Sequence, residues 1–223
     1  LETAYELFST AKDFDGDPIL GGSISKWKKA TTAFQLKVLM HLSKKESDAD
    51  LKVKERFARI VASGSLMESN EDNLQMKYAD KANTVYPFHN TNTKHAGYAM
   101  LSTMLIDKFK ATGDIRMFYY AKPAKAKLNE GVTADSWDAY IGTDPSLPFE
   151  QIEKAYATEQ YSGFNARYTD YPSGEPVVRL GYAEQNFILA EAAVRGWISG
   201  DASAYYKKGD QSPYGVYSFQ YSG

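Results

Sequence analysis

The sequence predicts an all-α fold of stacked helix pairs, interrupted by one long irregular insertion. Two segments, 26–42 and 182–208, carry apolar residues at helical spacing, which gathers them on one face of a helix. In contrast, 121–181 shows no sustained helical period, and long segments of this kind in compact proteins often carry function. We therefore expect a single domain, with a helical scaffold at about 1–64, 93–112 and 182–208 and the insertion at about 121–181.

The segment 182–208 has the clearest helical pattern. Gly200 provides a turn, and the side chain of Asp201 can cap a second helix that begins at Ala202. A helical hairpin with small residues in its seam is typical of tetratricopeptide-type repeats, which bury their cores by stacking. Five residues form the seam and are predicted to face inward: Ala183, Phe187, Ala190, Val194 and Trp197.

Further helices are predicted on the N-terminal side of the insertion. Ser25 can cap a helix over 26–42, an apolar stripe marks another at 53–61, and a third is predicted over 93–112 with Gly113 as its end. The preceding loop contains Asp13, Asp15 and Asp17, as the start of a calcium loop does. Pro18 and Ile24 stand where such a loop needs glycine and a bidentate glutamate, so a solvated turn is the better interpretation.

Composition and motifs exclude several functional classes. The net charge of −2 arises from 26 basic and 28 acidic side chains, which leaves no electrostatic footprint for nucleic acid. There are no cysteines, and no apolar run reaches the length of a membrane span. Catalytic motifs such as HExxH, GxSxG and the phosphate-binding loop are missing, so the sequence predicts neither an enzyme nor a bound cofactor or metal.

Several strings resemble the SusD/RagB family of outer-membrane nutrient-binding lipoproteins. They are YAE at 182–184, FILAEAAVRGW at 187–197, GDA at 200–202 and the paired tyrosines at 205–206. The KW at 26–27 and the helix that follows it also match, although Thr31 and Thr32 replace the family's usual Ala-Asn. The resemblance extends from about Asp13 to the C-terminus and implies a SusD-like fold.

The resemblance also implies a function. Family members are non-catalytic subunits on the extracellular face of the bacterial outer membrane, and they pass glycans or other nutrients to a SusC-like TonB-dependent transporter. They are longer than this chain and carry a signal peptide and a lipid-modified cysteine, which we expect upstream of Leu1. The alternative is a helical-repeat scaffold for protein–protein interactions that binds no glycan.

Aromatic residues of the insertion are the predicted ligand contacts. Sugar rings stack on tryptophan and tyrosine, and polar side chains supply hydrogen bonds to hydroxyls. The alternative for each ring is that it packs the insertion onto the scaffold, and Tyr86 and Phe88 are additional candidates. The predicted ligand-binding residues are Trp137, Tyr140, Tyr168, Tyr161, Tyr171 and Arg167.

Overall fold

The computed structural model describes residues 1–91 and 99–215. Over these residues the protein is mostly helical, as predicted, with one small antiparallel sheet. It forms two compact units: unit 1 contains Leu1–Met76 and Val177–Gly223, and unit 2 contains Lys77–Pro176. Unit 2 thus begins well before the predicted start of the insertion at 121.

The elements are as follows. The helices are α1 (Glu2–Leu7), α2 (Ile24–His41), α3 (Val53–Ala62), α4 (Thr103–Thr112), α5 (Met117–Tyr120), α6 (Lys125–Asn129), α7 (Phe149–Ala157), α8 (Ala166–Thr169), α9 (Tyr182–Val194) and α10 (Ala202–Gly215). The strands are β1 (Leu74–Met76) and β2 (Val177–Leu180), which pair antiparallel with a bulge between Leu74 and Gln75. Short 3₁₀ turns occur at Ser43–Lys45, Asn70–Asp72 and Trp137–Ala139.

The main core of unit 1 lies between α2, α3 and α9. Phe57 of α3 is fully buried and contacts Trp197 edge to face, with ring centroids 5.4 Å apart. The indole N–H of Trp197 donates a 2.8 Å hydrogen bond to Glu46, so its one polar atom is satisfied. The other buried members of this cluster are Leu36, Leu39, Met40, Val53, Ile60, Leu189 and Ala192.

The inward face of α9 differs from the predicted seam at two positions. Phe187 is 38% exposed and Val194 is 78% exposed, so neither belongs to the core. The reason is that α9 packs on two sides. Leu189 joins the core with α2 and α3, whereas the Phe187 ring contacts Tyr206 of α10 at 5.3 Å. A side chain at Gly209 of α10 would lie only 2.9 Å from the Phe187 ring, and this small residue therefore permits the close approach of the two helices.

The loop before α2 is organised by one carboxylate. Asp17 accepts hydrogen bonds from the backbone N–H groups of Ile19, Leu20 and Gly22 and from the indole of Trp27. Burial opposes ionisation of this carboxyl, but the hydrogen bonds prevail and the pKa of Asp17 is lowered. The acidic loop is therefore a structural turn, and α2 begins at Ile24 with Ser23 as its cap, two residues before the predicted Ser25.

Unit 2 differs from the sequence expectation in its helix boundaries. The helix predicted over 93–112 begins only at Thr103, capped by Ser102, because Met100 and Ser102 form β-bridges instead. Residues 93–98 lie outside the described part of the chain. The insertion, predicted to be irregular, contains the nine-residue helix α7 as well as shorter helices. The core of unit 2 consists of Leu101, Ile106, Met117, Ala121, Ala139 and Tyr140.

Truncating Leu189 should destabilise the protein far more than truncating Val194. Leu189→Ala leaves a cavity in a packed core and should lower the free energy of unfolding by about 2–5 kcal/mol. Val194→Ala removes an exposed side chain and should change it by less than about 0.5 kcal/mol. Urea unfolding of both variants provides the measurement, and equal losses would contradict the assignment of faces on α9.

Asp72 should contribute stability that depends on pH. Its carboxylate is buried, accepts from the Glu68 N–H at 2.8 Å and pairs with Lys29 at 2.9 Å. Burial raises the pKa of Asp72, but these partners outweigh it and the net pKa lies below the ordinary 3.8. Because the pKa of Asp72 is lower in the folded than in the unfolded protein, the stability that its carboxylate contributes is complete above about pH 4. This contribution is lost as the pH falls through the folded-state pKa.

Asp72→Asn should therefore lower the free energy of unfolding by about 1–3 kcal/mol at pH 7, with a smaller difference at pH 3. Glu68→Gln is the matched control, since Glu68 pairs with the same lysine at 3.0 Å but its side chain is 78% exposed. Urea titrations at both pH values measure the effect. A difference between wild type and Asp72→Asn that does not shrink with acidification would contradict the assignment.

Candidate ligand-binding cleft

The candidate site of unit 2 is framed by two segments that run side by side. The backbone N–H of Tyr86 donates to the carbonyl of Pro172 at 2.7 Å, and the N–H of Asn90 donates to that of Thr169 at 2.8 Å. Between these two bonds lies Phe88, whose ring is 45% exposed. The position of this ring is therefore set by backbone hydrogen bonds on both sides of it.

A third segment, 162–165, lies beside these two and completes the frame of the candidate site. The carbonyl of Ser162 accepts from Leu101 N–H, the carbonyl of Gly163 accepts from Lys122 N–H, and Asn165 donates its side-chain amide to Phe118 and Ala121. These bonds fix the backbone on both sides of Phe164. The Phe164 ring then lies 5.6 Å from the Phe88 ring, and the two separate a pair of adjacent pockets.

The first pocket, here called the apolar pocket, has a volume of about 360 Å³. Three of its rings form a nearly parallel series. Tyr120 lies 6.2 Å from Phe109 and 6.5 Å from Tyr168, with interplanar angles of 16° and 18°. The lining residues are Tyr86, Phe88, Leu101, Leu105, Phe109, Tyr120, Phe164 and Tyr168.

The second pocket, here called the polar pocket, has a volume of about 250 Å³. It combines a stacked pair of rings, Tyr156 and Tyr161 at 5.3 Å and 17°, with charged and amide side chains. The two pockets together form what we call the aromatic cleft. The polar pocket is lined by Phe88, Asn90, Ala99, Lys122, Tyr156, Tyr161, Phe164, Thr169 and Asp170.

Polar groups of the polar pocket are available to a ligand. Among the described residues, Lys122 forms no ion pair. Asp170 accepts from the Thr169 hydroxyl at 2.7 Å through one carboxylate oxygen. Burial, with the neighbouring Tyr156 to which it is hydrogen-bonded, raises the pKa of Tyr161, so this phenol stays protonated at neutral pH.

Two of the six predicted ligand contacts line the cleft. Tyr168, in the short helix α8, borders the apolar pocket, and Tyr161 borders the polar pocket. Tyr171 is 61% exposed but lines neither pocket. Arg167 is held by contacts within the unit: its guanidinium lies 3.5 Å above the Tyr119 ring and bonds to Glu175 at 2.6 Å.

Trp137 and Tyr140 pack elsewhere in unit 2. Both contact the Phe118 ring edge to face, at 4.9 Å and 5.3 Å. Tyr140 is only 3% exposed and its hydroxyl donates to the carbonyl of Ala134, and the residue borders a separate pocket of about 560 Å³ together with Asp107 and Lys127. The assignment of Tyr140 as a stacking residue therefore stays a prediction, for a pocket other than the two of the cleft. Trp137 is half-buried against the same cluster and lines neither pocket.

Sequence reasoning missed several residues of the cleft. Phe109 and Leu105 were assigned to a helix face, and their spacing gave no sign that this face lines a pocket. Tyr120 and Lys122 stand just before and just inside the expected start of the insertion at 121. The available signal was the consecutive pair Tyr119 and Tyr120, because two large aromatic rings in sequence cannot both point into one core from a single helix turn.

Neither a metal centre nor a membrane-spanning helix occurs in the described residues. Across 1–91 and 99–215, His, Asp and Glu side chains nowhere gather in threes at a spacing suitable for a metal ion. No helix in these ranges combines the length and hydropathy needed to cross a bilayer.

Comparison with protein families identifies the fold. Residues 1–214 match the family described as "Starch-binding associating with outer membrane", named SusD-like. The chain belongs to the SusD-like family. This membership confirms the resemblance seen in the sequence, and the mostly helical structure agrees with it. No curated protein matches the chain.

Solved SusD-like structures superpose on the chain. A SusD homologue from Bacteroides fragilis is 97% identical, with a TM-score of 0.81 over 95% of this chain and 45% of that one. A Bacteroides vulgatus outer-membrane candidate, for which a role in nutrient binding is suggested, is 34% identical with a TM-score of 0.78 over 97% and 47%. A chitin-binding protein shares the fold at 22% identity and a TM-score of 0.65. The chain spans 45% to 47% of the length of these solved structures.

Gly174 should be required for the position of Tyr86 at the cleft. Its φ is +47°, and a Cβ there would lie 2.2 Å from Cγ and 2.7 Å from Cβ of Tyr86, and this Cβ is held in place by the backbone that donates to the carbonyl of Pro172. Gly174→Ala should therefore lower the free energy of unfolding by about 2–4 kcal/mol, the sum of left-handed backbone strain and overlap. Gly131→Ala is the control, because its φ is +87° but nothing lies within 4 Å, so it should lose only about 1–2 kcal/mol. Chemical denaturation compares the two, and equal losses would mean that the overlap is relieved without strain.

Proposed function

We propose that the protein is a non-catalytic nutrient-binding subunit of the bacterial outer membrane that captures an oligosaccharide in the aromatic cleft. In this proposal it acts on the extracellular face and passes its ligand to a SusC-like TonB-dependent transporter. Membership of a family described by starch binding and outer-membrane association supports the class of ligand and the location. The suggested nutrient binding of a 34% identical homologue supports the same assignment.

The observation that carries the proposal is the pairing of open ring faces with hydrogen-bonding groups in one concave site. The Tyr156 and Tyr161 rings offer a flat surface for the CH face of a sugar, and Lys122, Asn90 and Asp170 border the same pocket. A pocket of about 250 Å³ has room for one or two pyranose rings. A flat protein-docking surface would need neither feature.

Binding without catalysis is the form of the function that the polar pocket favours. Hydrolysis of a glycosidic bond generally needs two carboxyl groups facing each other across the scissile bond, roughly 5–9.5 Å apart. Among the described residues that line the polar pocket, Asp170 is the sole acidic one. The pocket therefore has the chemistry of recognition, in which hydroxyls are bound and left unchanged.

The six residues predicted from the sequence divide accordingly. Tyr161 and Tyr168 are proposed to contact the ligand directly, whereas Arg167 is proposed to hold α8 through Glu175 and Tyr119. Tyr171 is exposed beside the cleft and is proposed as a peripheral contact to a longer oligosaccharide. Trp137 and Tyr140 stay the rival stacking candidates on a different part of unit 2.

Tyr161→Ala should weaken oligosaccharide binding while leaving the fold intact. Loss of one stacking ring should reduce the binding free energy by about 1–3 kcal/mol, by analogy with bases stacked on aromatic side chains. A thermal-shift screen of plant, microbial and host oligosaccharides first identifies a ligand, and isothermal titration then compares the variants. Circular dichroism verifies the helix content of each.

Trp137→Ala is the comparison that decides between the two surfaces. If the cleft is the site, this variant should bind as the wild type does. Loss of binding in Trp137→Ala with full binding in Tyr161→Ala would move the site to the Phe118 cluster. Complete failure of the screen, together with binding of a protein or peptide, would favour the scaffold function.

A further inference from the structure

The two pockets of the aromatic cleft share a wall but differ in chemistry. Phe88 and Phe164 border both of them. On one side of these rings lie an ammonium, a carboxylate and an amide; on the other side lie two leucines and four further aromatic residues. A ligand that fills the cleft must therefore change from polar to apolar across the Phe88 and Phe164 rings.

The apolar pocket is poorly suited to a sugar ring. In the part of the chain that the structure describes, its lining side chains have no hydrogen-bonding groups other than the hydroxyls of Tyr86, Tyr120 and Tyr168. Each sugar hydroxyl placed there would lose its hydrogen bonds to water and be surrounded by hydrocarbon. This transfer is unfavourable unless a new hydrogen bond replaces the lost ones. With a volume of about 360 Å³, the pocket is also larger than a methyl or acetyl group would fill.

The ring geometry of the apolar pocket fits a planar apolar group. Tyr120 and Phe88 are 41% and 45% exposed, and Leu105 of α4 is 40% exposed, so all three present hydrocarbon surface to an occupant. The Phe109 and Tyr168 rings are each within 18° of parallel to the Tyr120 ring, and the three rings supply offset-stacking and edge contacts to another aromatic ring. An aryl group would recover this surface from water without leaving a polar atom unsatisfied.

We propose that the ligand is a glycan bearing an aryl substituent, with the sugar in the polar pocket and the aryl group in the apolar pocket. This inference rests on the proposed function, since it assumes that the polar pocket holds the sugar. Phenolic esters or ethers on a saccharide have the required chemistry. The apolar pocket then selects substituted over unsubstituted chains, while Lys122 and Asn90 select for hydroxyls.

The test compares matched glycosides that differ in one group. The probes are the p-nitrophenyl and methyl β-glycosides of glucose, galactose, xylose and N-acetylglucosamine, with free p-nitrophenol as the aryl group alone. Isothermal titration with the wild-type protein should show, for at least one sugar, binding of the aryl glycoside roughly tenfold or more tighter than that of its methyl partner. Free p-nitrophenol should bind more weakly than this aryl glycoside.

Two variants on α4 test whether the preference for aryl glycosides arises in the apolar pocket. Leu105→Gln makes the wall of the apolar pocket polar and should reduce the aryl preference several-fold. Met104→Gln is its control, because Met104 is the preceding residue, is 81% exposed and does not line the pocket. Lys122→Gln should weaken aryl and methyl glycosides by the same factor, since it acts on the sugar alone.

The outcomes distinguish failure of the aryl-substituent inference from failure of the proposed glycan binding on which it rests. Oligosaccharides or methyl glycosides that bind as tightly as aryl glycosides would overturn the aryl substituent and leave glycan binding intact. An aryl preference that survives in Leu105→Gln, or free p-nitrophenol that binds as well as the glycoside, would also overturn it. No binding by any saccharide would overturn the proposed function as well.

Discussion

Unit 1 depends on one buried side chain that joins its N-terminal segment to its C-terminal segment. Gln185 of α9 accepts from the N–H of Met67 at 2.9 Å and donates to its carbonyl at 3.0 Å, in a buried pair separated by 118 residues. A carboxamide can complete both hydrogen bonds of a backbone group at once, and leaving either unmade in the interior would be unfavourable. Asn73 adds a bond to the Tyr182 N–H beside the β1–β2 pairing. These hydrogen bonds fix the position of α9, and that position determines which residues its apolar side chains contact.

Sequence periodicity located most of the helices but misjudged the faces of α9. The Ala-rich seam correctly indicated helical packing, yet a helix that packs on two sides buries residues outside a single stripe. Gln185 lies outside the predicted seam, although it is among the most buried residues of α9. Polarity is a poor guide to burial when a backbone partner distant in sequence satisfies the group, and no single sequence shows that partner.

The candidate site was less predictable than the fold. Aromatic composition drew attention to Tyr161 and Tyr168, which line the cleft, because large rings in irregular segments must either pack or remain available for a ligand. The choice between these outcomes is made by tertiary contacts. Trp137 and Tyr140 pack against the Phe118 ring, whereas Tyr120 lies beside Tyr168 and remains partly exposed. Such pairings join residues tens of positions apart, and helical spacing carries no information about them.

The aromatic cleft separates the parts that hold the fold from the parts that meet a ligand. Its frame is made of backbone hydrogen bonds, at Tyr86 with Pro172, at Asn90 with Thr169 and around Ser162. Any residue except proline can donate these N–H bonds, so they persist when the side chains change. The ring and charge content of the pockets can therefore vary without loss of the cleft itself. Under the proposed function, this division would let ligand preference change through residues such as Leu105, Lys122 and Tyr161 while the scaffold stays the same.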